Sequence, residues 1–314
     1  MAEDGNDDGI PAPPGRPGLP DVLAGRVVVS DGGLATELER RGNDLSGGLW
    51  SARLLHDRPE EILAAHRAFF AAGAEVATTA SYQASVDGLT ARSLDPVRML
   101  RRSVRLAARA RDEHGRGWVA GSIGPYGAAL ADGSEYRGDY GRTVDELRRF
   151  HRPRLEIMAE AGADVFAVET IPCLAEVEAV LVELDRLCLP AWLSLTCAGV
   201  RTRAGEPARA GFAMAADVAA VFAVGVNCTA PADVAALVEQ AHTASGKPAV
   251  AYPNSGETWD AARGRWSGRS RFDPVLVTTW IGAGARLVGG CCRVGPADIS
   301  HLAAQLGDAE TRVS

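Results

Sequence analysis

Two adjacent cysteines near the C-terminus, Cys291 and Cys292, are the residues best suited to chemistry. They follow a pair of glycines, at the end of an apolar run that predicts a short buried strand over residues 286–290, and Pro296 predicts the start of a helix. Successive side chains on a strand point to opposite faces, so adjacent cysteines can reach one target only where glycine lets the backbone leave strand geometry. The pair therefore predicts two thiolates that hold one target at a strand-to-helix turn.

A third cysteine, Cys228, ends another apolar run, which predicts a strand at residues 223–228. Three thiolates without a nearby histidine suit a soft, tetrahedral ion, and zinc with one open position is the usual catalytic arrangement. The alternative is that these cysteines are small buried hydrophobic residues, the commonest role of free cysteine. That alternative is the better reading of Cys228 alone, whereas zinc is the better reading of the adjacent pair.

Composition and charge narrow the class of protein. The chain has 314 residues, 46% of them hydrophobic, and a formal net charge of -7, without a basic stripe that would favour nucleic acid or an anionic membrane surface. Small-molecule substrates are expected instead, and the sequence leaves the oligomeric state open. The acidic, proline-rich N-terminus is unlike a secretory signal, no apolar run is long enough to span a membrane, and six cysteines are too few for a disulfide framework. These features predict a cytoplasmic protein.

Strands and helices alternate along most of the chain. Residues 1–21 are rich in Gly, Pro and Asp and predict a disordered tail, and residues 22–314 predict a single domain. Eight strand-then-helix units and the lack of a glycine-rich dinucleotide motif favour a (β/α)₈ TIM barrel, of the α/β class, over a doubly wound sheet. The eight predicted strands are residues 27–29, 75–80, 118–123, 164–170, 191–196, 223–228, 249–254 and 286–290.

Barrel geometry would bring the thiols together. Inward side chains in each layer of such a barrel come from alternate strands, so the sixth and eighth strands contribute to the same layers, and Cys228 would face the Cys291–Cys292 pair at the C-terminal mouth. Asp31 and Glu169, at the ends of the first and fourth strands, open onto the same mouth. Either carboxylate could instead be a structural partner of loop backbone.

Seven stretches together carry a family resemblance. They are DGGLATELE at 31–39, TASYQA at 79–84, GSIGPYG at 121–127, ADGSEYRGDY at 131–140, GVNC at 225–228, YPNSGE at 252–257 and GGCCR at 289–293. With them the sequence resembles the homocysteine S-methyltransferases, most closely those that use S-methylmethionine as the methyl donor. The stretches span nearly everything after the tail, and their combination is specific although each alone is weak. Ala204 departs from the family pattern, in which an aspartate is common.

The resemblance implies a zinc-dependent barrel in which Cys228, Cys291 and Cys292 bind the ion and homocysteine sulfur takes the open position. It implies that Asp31 and Glu169 recognise the amino-acid end of homocysteine. Further substrate contacts are expected from three residues of the matching stretches: Gly32, Tyr82 and Asn227.

The long connection at residues 124–142 is expected to close over the methyl donor, because loops of that length in compact domains are often functional lids. Residues expected on the donor side are Tyr126, Tyr136, Tyr140 and Asn254; the tyrosines could present aromatic faces to a sulfonium cation or could simply pack the loop. Betaine or S-adenosylmethionine as donor, and selenocysteine as acceptor, remain alternatives. A non-catalytic zinc or thiol-redox barrel that senses oxidants is an alternative from a different class.

Overall fold

The computed structural model describes residues 16–45, 50–260 and 265–311. Its strands, in chain order, are β1 Val28–Val29, β2 Val76–Thr78, β3 Trp118–Ile123, β4 Val165–Ile171, β5 Ala191–Leu195, β6 Cys197–Ala198, β7 Arg201–Thr202, β8 Val221–Asn227, β9 Ala249–Tyr252, β10 Thr258–Asp260, β11 Arg265–Ser267 and β12 Ala285–Val288. Eight of them form one parallel sheet in the order β1-β12-β9-β8-β5-β4-β3-β2, and a bridge between Ser30 and Val76 joins its two edges. The sheet is therefore a closed barrel, which confirms the predicted fold.

Helices connect the barrel strands and cover their outer face. They are α1 Leu19–Gly25, α2 Leu34–Arg40, α3 Trp50–Asp57, α4 Pro59–Ala71, α5 Val86–Thr90, α6 Pro96–His114, α7 Tyr126–Leu130, α8 Val144–Glu160, α9 Leu174–Leu187, α10 Ala208–Met214, α11 Pro231–Ser245, α12 Leu276–Gly282 and α13 Pro296–Thr311, with a 3-10 turn at Ser134–Tyr136. Local signals set several starts: the Asp95 side chain caps α6, and Thr143 with Glu146 forms a capping box at the start of α8. Helix α8 continues through Pro153.

The barrel strands contribute to two hydrophobic cores, one inside the barrel and one between the strands and the helices. Strands β3 and β4 are buried along their whole length, as parallel strands covered on both faces should be. Alternate residues such as Trp118 and Ala120 fill the barrel interior, whereas Val119 packs toward the helices. Because both faces of these strands are apolar, polar side chains at the strand ends stand out as candidates for function.

The tail prediction is wrong for its last residues. Residues 16–21 belong to the folded part, because Leu19 and Leu23 of α1 are 1% exposed and pack in the barrel interior with the first residues of several strands. The Trp118 indole N–H donates to the Pro17 carbonyl oxygen at 3.1 Å, and Arg16 pairs with Asp164. With these two leucines, helix α1 closes the N-terminal end of the barrel. The rest of the predicted tail lies outside the described residues.

Strand ends differ from the predicted ones by a few residues. The prediction of a strand to residue 254 is too long, since β9 stops at Tyr252. Pro253 has no N–H for a ladder, and the Asn254 side chain accepts a hydrogen bond from the Gly256 N–H at 2.9 Å, which turns the chain. The described residues contain no helix long and apolar enough to cross a bilayer.

Candidate metal and substrate site

Three cysteine sulfurs meet at the C-terminal ends of two barrel strands. Cys228 follows β8, and the Cys291–Cys292 pair follows β12, two strands away in the sheet. The sulfur atoms of Cys228 and Cys291 are in contact, with their Cα atoms 5.6 Å apart, and the Cys292 thiol lies beside them. The three sulfurs lie within 4.8 Å of one another. The predicted convergence of the three cysteines is thus what the fold produces.

The donor set fits zinc when all three cysteines are thiolates. Zinc bonds thiolate sulfur at about 2.3 Å, so tetrahedral ligands lie about 3.8 Å apart, within the spread of these three sulfurs. Over the ranges described, no further His, Cys, Asp or Glu joins the group, so a fourth position would be left for a substrate. Zinc is bound by thiolates, so Cys228 and Cys291 must both be in the reduced form to hold it. Burial raises the pKa of the Cys292 thiol to about 11, opposed by a hydrogen bond from Tyr136.

Glycines let the chain pass close behind the cysteines. A Cβ atom on Gly33 would lie 2.5 Å from the carbonyl oxygen of Cys291, and one on Gly32 would strike the Val294 carbonyl oxygen and the Phe69 ring. The loop after β1 is therefore packed directly on the cysteine turn. Gly32, expected to contact substrate, has in this structure a role in that close backbone approach.

Asp31 lies at the same mouth and is held by the neighbouring strand. Its Oδ2 accepts a hydrogen bond from the Thr78 N–H at 2.7 Å, and its Oδ1 accepts one from the Thr78 hydroxyl at 2.8 Å. Burial raises the pKa of Asp31 to about 7, although the bonds from Thr78 favour the charged form. The carboxylate is 3% exposed and forms no ion pair with any Lys or Arg of the described ranges.

Glu169 is the second buried carboxylate at this mouth. Its Oε1 accepts a hydrogen bond from the Ser122 hydroxyl at 2.5 Å, and Tyr252 also donates to it. The Trp192 indole N–H in turn donates to the Tyr252 oxygen at 2.8 Å, which orients the phenol. Burial raises the pKa of Glu169 to about 7, and the charge of Asp31 adds to the rise. Two carboxylates that repel each other without a protein cation form a ready site for a bound ammonium group.

Asn227 connects Glu169 to the cysteines. Its Oδ1 accepts a hydrogen bond from the Thr170 N–H, and its Nδ2 donates to the Thr170 hydroxyl, both at 2.7 Å. Nδ2 also lies 3.9 Å from the Cys291 sulfur. Thr170 has a φ of 62°, a conformation that is costly for a β-branched residue, and the Asn227 amide stabilises it. The amide therefore positions Glu169 and Cys291, and the expected contact with substrate stays a prediction.

Two tyrosines line the mouth next to these groups. Tyr82 packs its ring over Gly124 and hydrogen-bonds to Thr170, beside Glu169. Tyr136, in the connection after β3, donates to the Cys292 sulfur, and the Arg203 guanidinium lies 5.5 Å from the centre of its ring. Tyr136 thus lies beside Cys292 and Tyr82 beside Glu169, and the expected roles of both tyrosines toward substrate and donor stay predictions.

The remaining donor-side candidates lie in other contacts. Tyr126 packs against Phe150 and Tyr140 with ring centres 5.0 and 5.4 Å apart, which is the loop-packing alternative for these two tyrosines. Asn254 closes its own turn through Gly256, while the neighbouring Ser255 N–H donates to the Cys292 carbonyl oxygen at 2.9 Å. Tyr126, Tyr140 and Asn254 thus make contacts within the loops, and their expected roles on the donor side stay predictions.

Comparison with known proteins agrees with this site. The family model described as homocysteine S-methyltransferase matches residues 28–306. Homocysteine S-methyltransferase YbgG of Bacillus subtilis is 43% identical over 298 residues, covering 88% of this chain and 94% of the relative. The chain belongs to the homocysteine S-methyltransferase family. It is therefore a methyltransferase enzyme, and the first residues matched coincide with β1.

Two crystal structures of the homocysteine methyltransferase MmuM from Escherichia coli have the same fold as this family member. The metallated form has a TM-score of 0.82 at 41% identity and covers 91% of this chain and 98% of MmuM. The oxidized form has a TM-score of 0.80 at 42% identity and covers 89% of this chain and 96% of MmuM. MmuM thus exists in both a metal-bound and an oxidized state.

Sequence reasoning missed the residues that orient the site of this methyltransferase. Ser122, Tyr252 and Trp192 were predicted on strands, the first two also within family-like stretches, and none was given a role, yet they hold Glu169. Glu135, buried in the connection after β3, and Arg203, in the loop after β7, were also given no role. A polar or amphipathic residue within an apolar strand was the available signal for Ser122 and Tyr252. The available signal for Glu135 was its place in the stretch at 131–140, whereas no sequence signal separated Arg203 from other loop charges.

Proposed function

We propose that this enzyme transfers a methyl group from a sulfonium donor, S-methylmethionine in the first place, to the thiol of L-homocysteine in a zinc-dependent reaction that yields methionine. One observation carries the proposal: three cysteine sulfurs within 4.8 Å of one another lie at the mouth where two buried, unpaired carboxylates converge. Sulfur ligands suit a metal that activates a thiol, and the carboxylates suit the ammonium group of an amino acid.

Cys228, Cys291 and Cys292 would hold the zinc ion as thiolates. When bound, zinc supplies the positive charge that keeps a substrate thiol ionised at neutral pH, the form in which sulfur is nucleophilic. Asn227, through its contact with Cys291, and the packed backbone of Gly33 keep the ligands in place. Because reduced thiols are required, the cytoplasm predicted from the sequence would suit the enzyme.

Asp31 and Glu169 would bind the ammonium group of homocysteine. A cation near both carboxylates removes their mutual repulsion and favours the charged form of each. Their hydrogen bonds from Thr78, Ser122 and Tyr252 fix the oxygens before substrate arrives, so little ordering is left for binding. The charge of Glu169 also raises the pKa of Cys292, so the place for the amino-acid end and the place for the sulfur are close enough for one substrate to occupy both.

The methyl transfer itself joins opposite charges. An anionic sulfur attacks a cationic sulfonium, so charge is dispersed in the transition state, and no side chain has to remove a proton once the thiol is ionised. The protein has to align the two sulfur atoms with the methyl group between them and to limit water in the pocket. Tyr82 and Tyr136, packed beside Thr170 and Cys292, are placed to do this.

A donor panel with homocysteine tests the proposal. Purified enzyme, reduced and loaded with zinc, is assayed for methionine with S-methylmethionine, S-adenosylmethionine or betaine, with and without a chelator. We expect turnover with a sulfonium donor, lost with the chelator and restored by zinc. Cys291→Ser should lose zinc and activity together, while Cys188→Ser, an exposed cysteine away from the site, should keep both.

The outcomes separate the alternatives. Activity with betaine alone, or a preference for selenocysteine as acceptor, would change the assigned substrate but not the assigned methyl-transfer reaction. Absence of methyl transfer with every donor, together with zinc release on mild oxidation, would support a redox-sensing barrel instead. Full activity of Cys291→Ser without bound metal would contradict the zinc assignment.

A further inference from the structure

Glu135 is a buried carboxylate that the proposed reaction does not yet use. It is 4% exposed, lies in the 3-10 turn of the connection after β3, and its Oε2 has no hydrogen-bond partner among the residues described. Its backbone is fixed, because a Cβ atom on Gly127 would strike the Glu135 nitrogen. Burial of an unpaired carboxylate is costly unless a ligand supplies the missing partner.

The position of Glu135 is next to the sulfur site. Glu135 directly precedes Tyr136, whose ring centre lies 5.5 Å from the Arg203 guanidinium, and that guanidinium donates to the Cys228 carbonyl oxygen at 3.4 Å. The turn that carries Glu135 therefore lies beside the sulfur site. Asp31 and Glu169 are assigned to the homocysteine side, so Glu135 is a separate acidic group at the same mouth.

Arg203 provides a positive group across Tyr136. Its guanidinium lies 5.5 Å from the centre of the Tyr136 ring and makes only long hydrogen bonds, 3.3 Å to the Thr196 hydroxyl and 3.4 Å to the Cys228 carbonyl oxygen. It has no ion pair with a carboxylate in the described ranges and is partly exposed. Glu135 thus adjoins Tyr136 in the chain and Arg203 lies against the Tyr136 ring, and no ion pair joins Glu135 to Arg203 in the described ranges.

We propose that Glu135 and Arg203 bind the amino-acid end of the methyl donor, with Glu135 on its ammonium group and Arg203 on its carboxylate, and with Tyr136 between them. This inference rests on the proposed function and assigns the donor half of the site. A carboxylate on the ammonium group, rather than on the sulfonium, does not stabilise the charge that the reaction consumes. The two residues therefore select amino-acid sulfonium donors over betaine, which has no ammonium hydrogens.

The assay uses zinc-loaded enzyme with S-methylmethionine and two blocked forms of it, the N-acetyl derivative and the methyl ester. Glu135→Gln should raise the KM for S-methylmethionine about 10- to 100-fold, the range expected for a lost charged hydrogen bond, with little change in kcat or in the KM for homocysteine. With the N-acetyl donor, Glu135→Gln and wild type should be equal. Arg203→Gln should likewise raise the KM for S-methylmethionine. With the methyl ester as donor, Arg203→Gln and wild type should be equal.

Matched controls are available in the same loops. Asp139→Asn removes an exposed carboxylate from the same connection, and Arg201→Gln removes an exposed guanidinium from the hairpin before Arg203; both should behave as wild type. Wild-type enzyme that uses the N-acetyl donor as well as S-methylmethionine would overturn the inference even if Glu135→Gln does not fold. Equal rises in the KM for donor and homocysteine would also overturn it. Wild type that uses no sulfonium donor at all would instead contradict the proposed function.

Discussion

Replacement of Glu169 by glutamine should move activity and stability in opposite directions. The amide is nearly isosteric and keeps an oxygen for the hydrogen bonds from Ser122 and Tyr252, but it removes the charge expected to bind the homocysteine ammonium group. Loss of one charged hydrogen bond costs about 1.5–3 kcal/mol, so the KM for homocysteine should rise about 10- to 150-fold. Zinc content should not change, because Glu169 is not among the sulfur ligands.

The stability change follows from the pKa of Glu169. Burial raises that pKa from 4.5 to about 7, so the folded state binds more protons than the unfolded state between these values. The stabilising contribution is present below pH 4.5 and is lost as the pH rises through about 7, at a cost of about 3 kcal/mol at most. Glutamine does not titrate, so Glu169→Gln should be more stable than wild type at pH 8 and show little difference at pH 5.

Two measurements decide this prediction. Homocysteine kinetics at saturating donor give the first, and urea unfolding of the substrate-free protein at pH 5 and pH 8 gives the second. An unchanged KM for homocysteine would refute the role of Glu169 in acceptor binding. A Glu169→Gln protein that is less stable at pH 8 would refute the argument that the buried charge is uncompensated in the free enzyme.

Three other substitutions test the framework of the site. Leu23→Ala should lower the unfolding free energy by about 2–5 kcal/mol in urea titrations, since Leu23 is 1% exposed inside the barrel. Tyr252→Phe removes a hydrogen bond that favours the charged form of Glu169, so the pKa of Glu169 should rise. As the pH is lowered, the KM for homocysteine should therefore begin to rise at a higher pH than in wild type. Gly33→Ala would press against the Cys291 carbonyl oxygen and should lower zinc content.

Two of these substitutions have a matched control. Asp21→Ala alters an exposed residue of the same helix as Leu23 and should leave stability within about 0.5 kcal/mol of wild type. Gly282→Ala adds a Cβ atom where nothing lies within 4 Å, so it should retain zinc. A pH profile unchanged in Tyr252→Phe, or full zinc occupancy in Gly33→Ala, would contradict the positioning roles assigned here.

The sequence by itself determined the barrel and the convergence of the three cysteine sulfurs. Apolar runs that end in polar or cysteine residues repeat eight times, and because parallel strands deliver their carboxyl ends to one mouth, Cys228 and the Cys291–Cys292 pair had to be neighbours. Asp31 and Glu169 were identifiable for the same reason. These inferences depend only on local pattern and on the symmetry of the fold.

Only the tertiary structure decided what surrounds those groups. Leu19 lies in a segment whose composition predicts disorder, and it joins Leu23 in a helix because the open end of the barrel offers both leucines an apolar surface. The Asn227 side chain accepts a hydrogen bond from the Thr170 N–H, which stabilises a β-branched residue in the left-handed backbone conformation. Glu135 lies near Cys292 through the path of an irregular connection, which has no periodicity to read. Contacts between loops depend on packing across the whole mouth, and local sequence does not encode them.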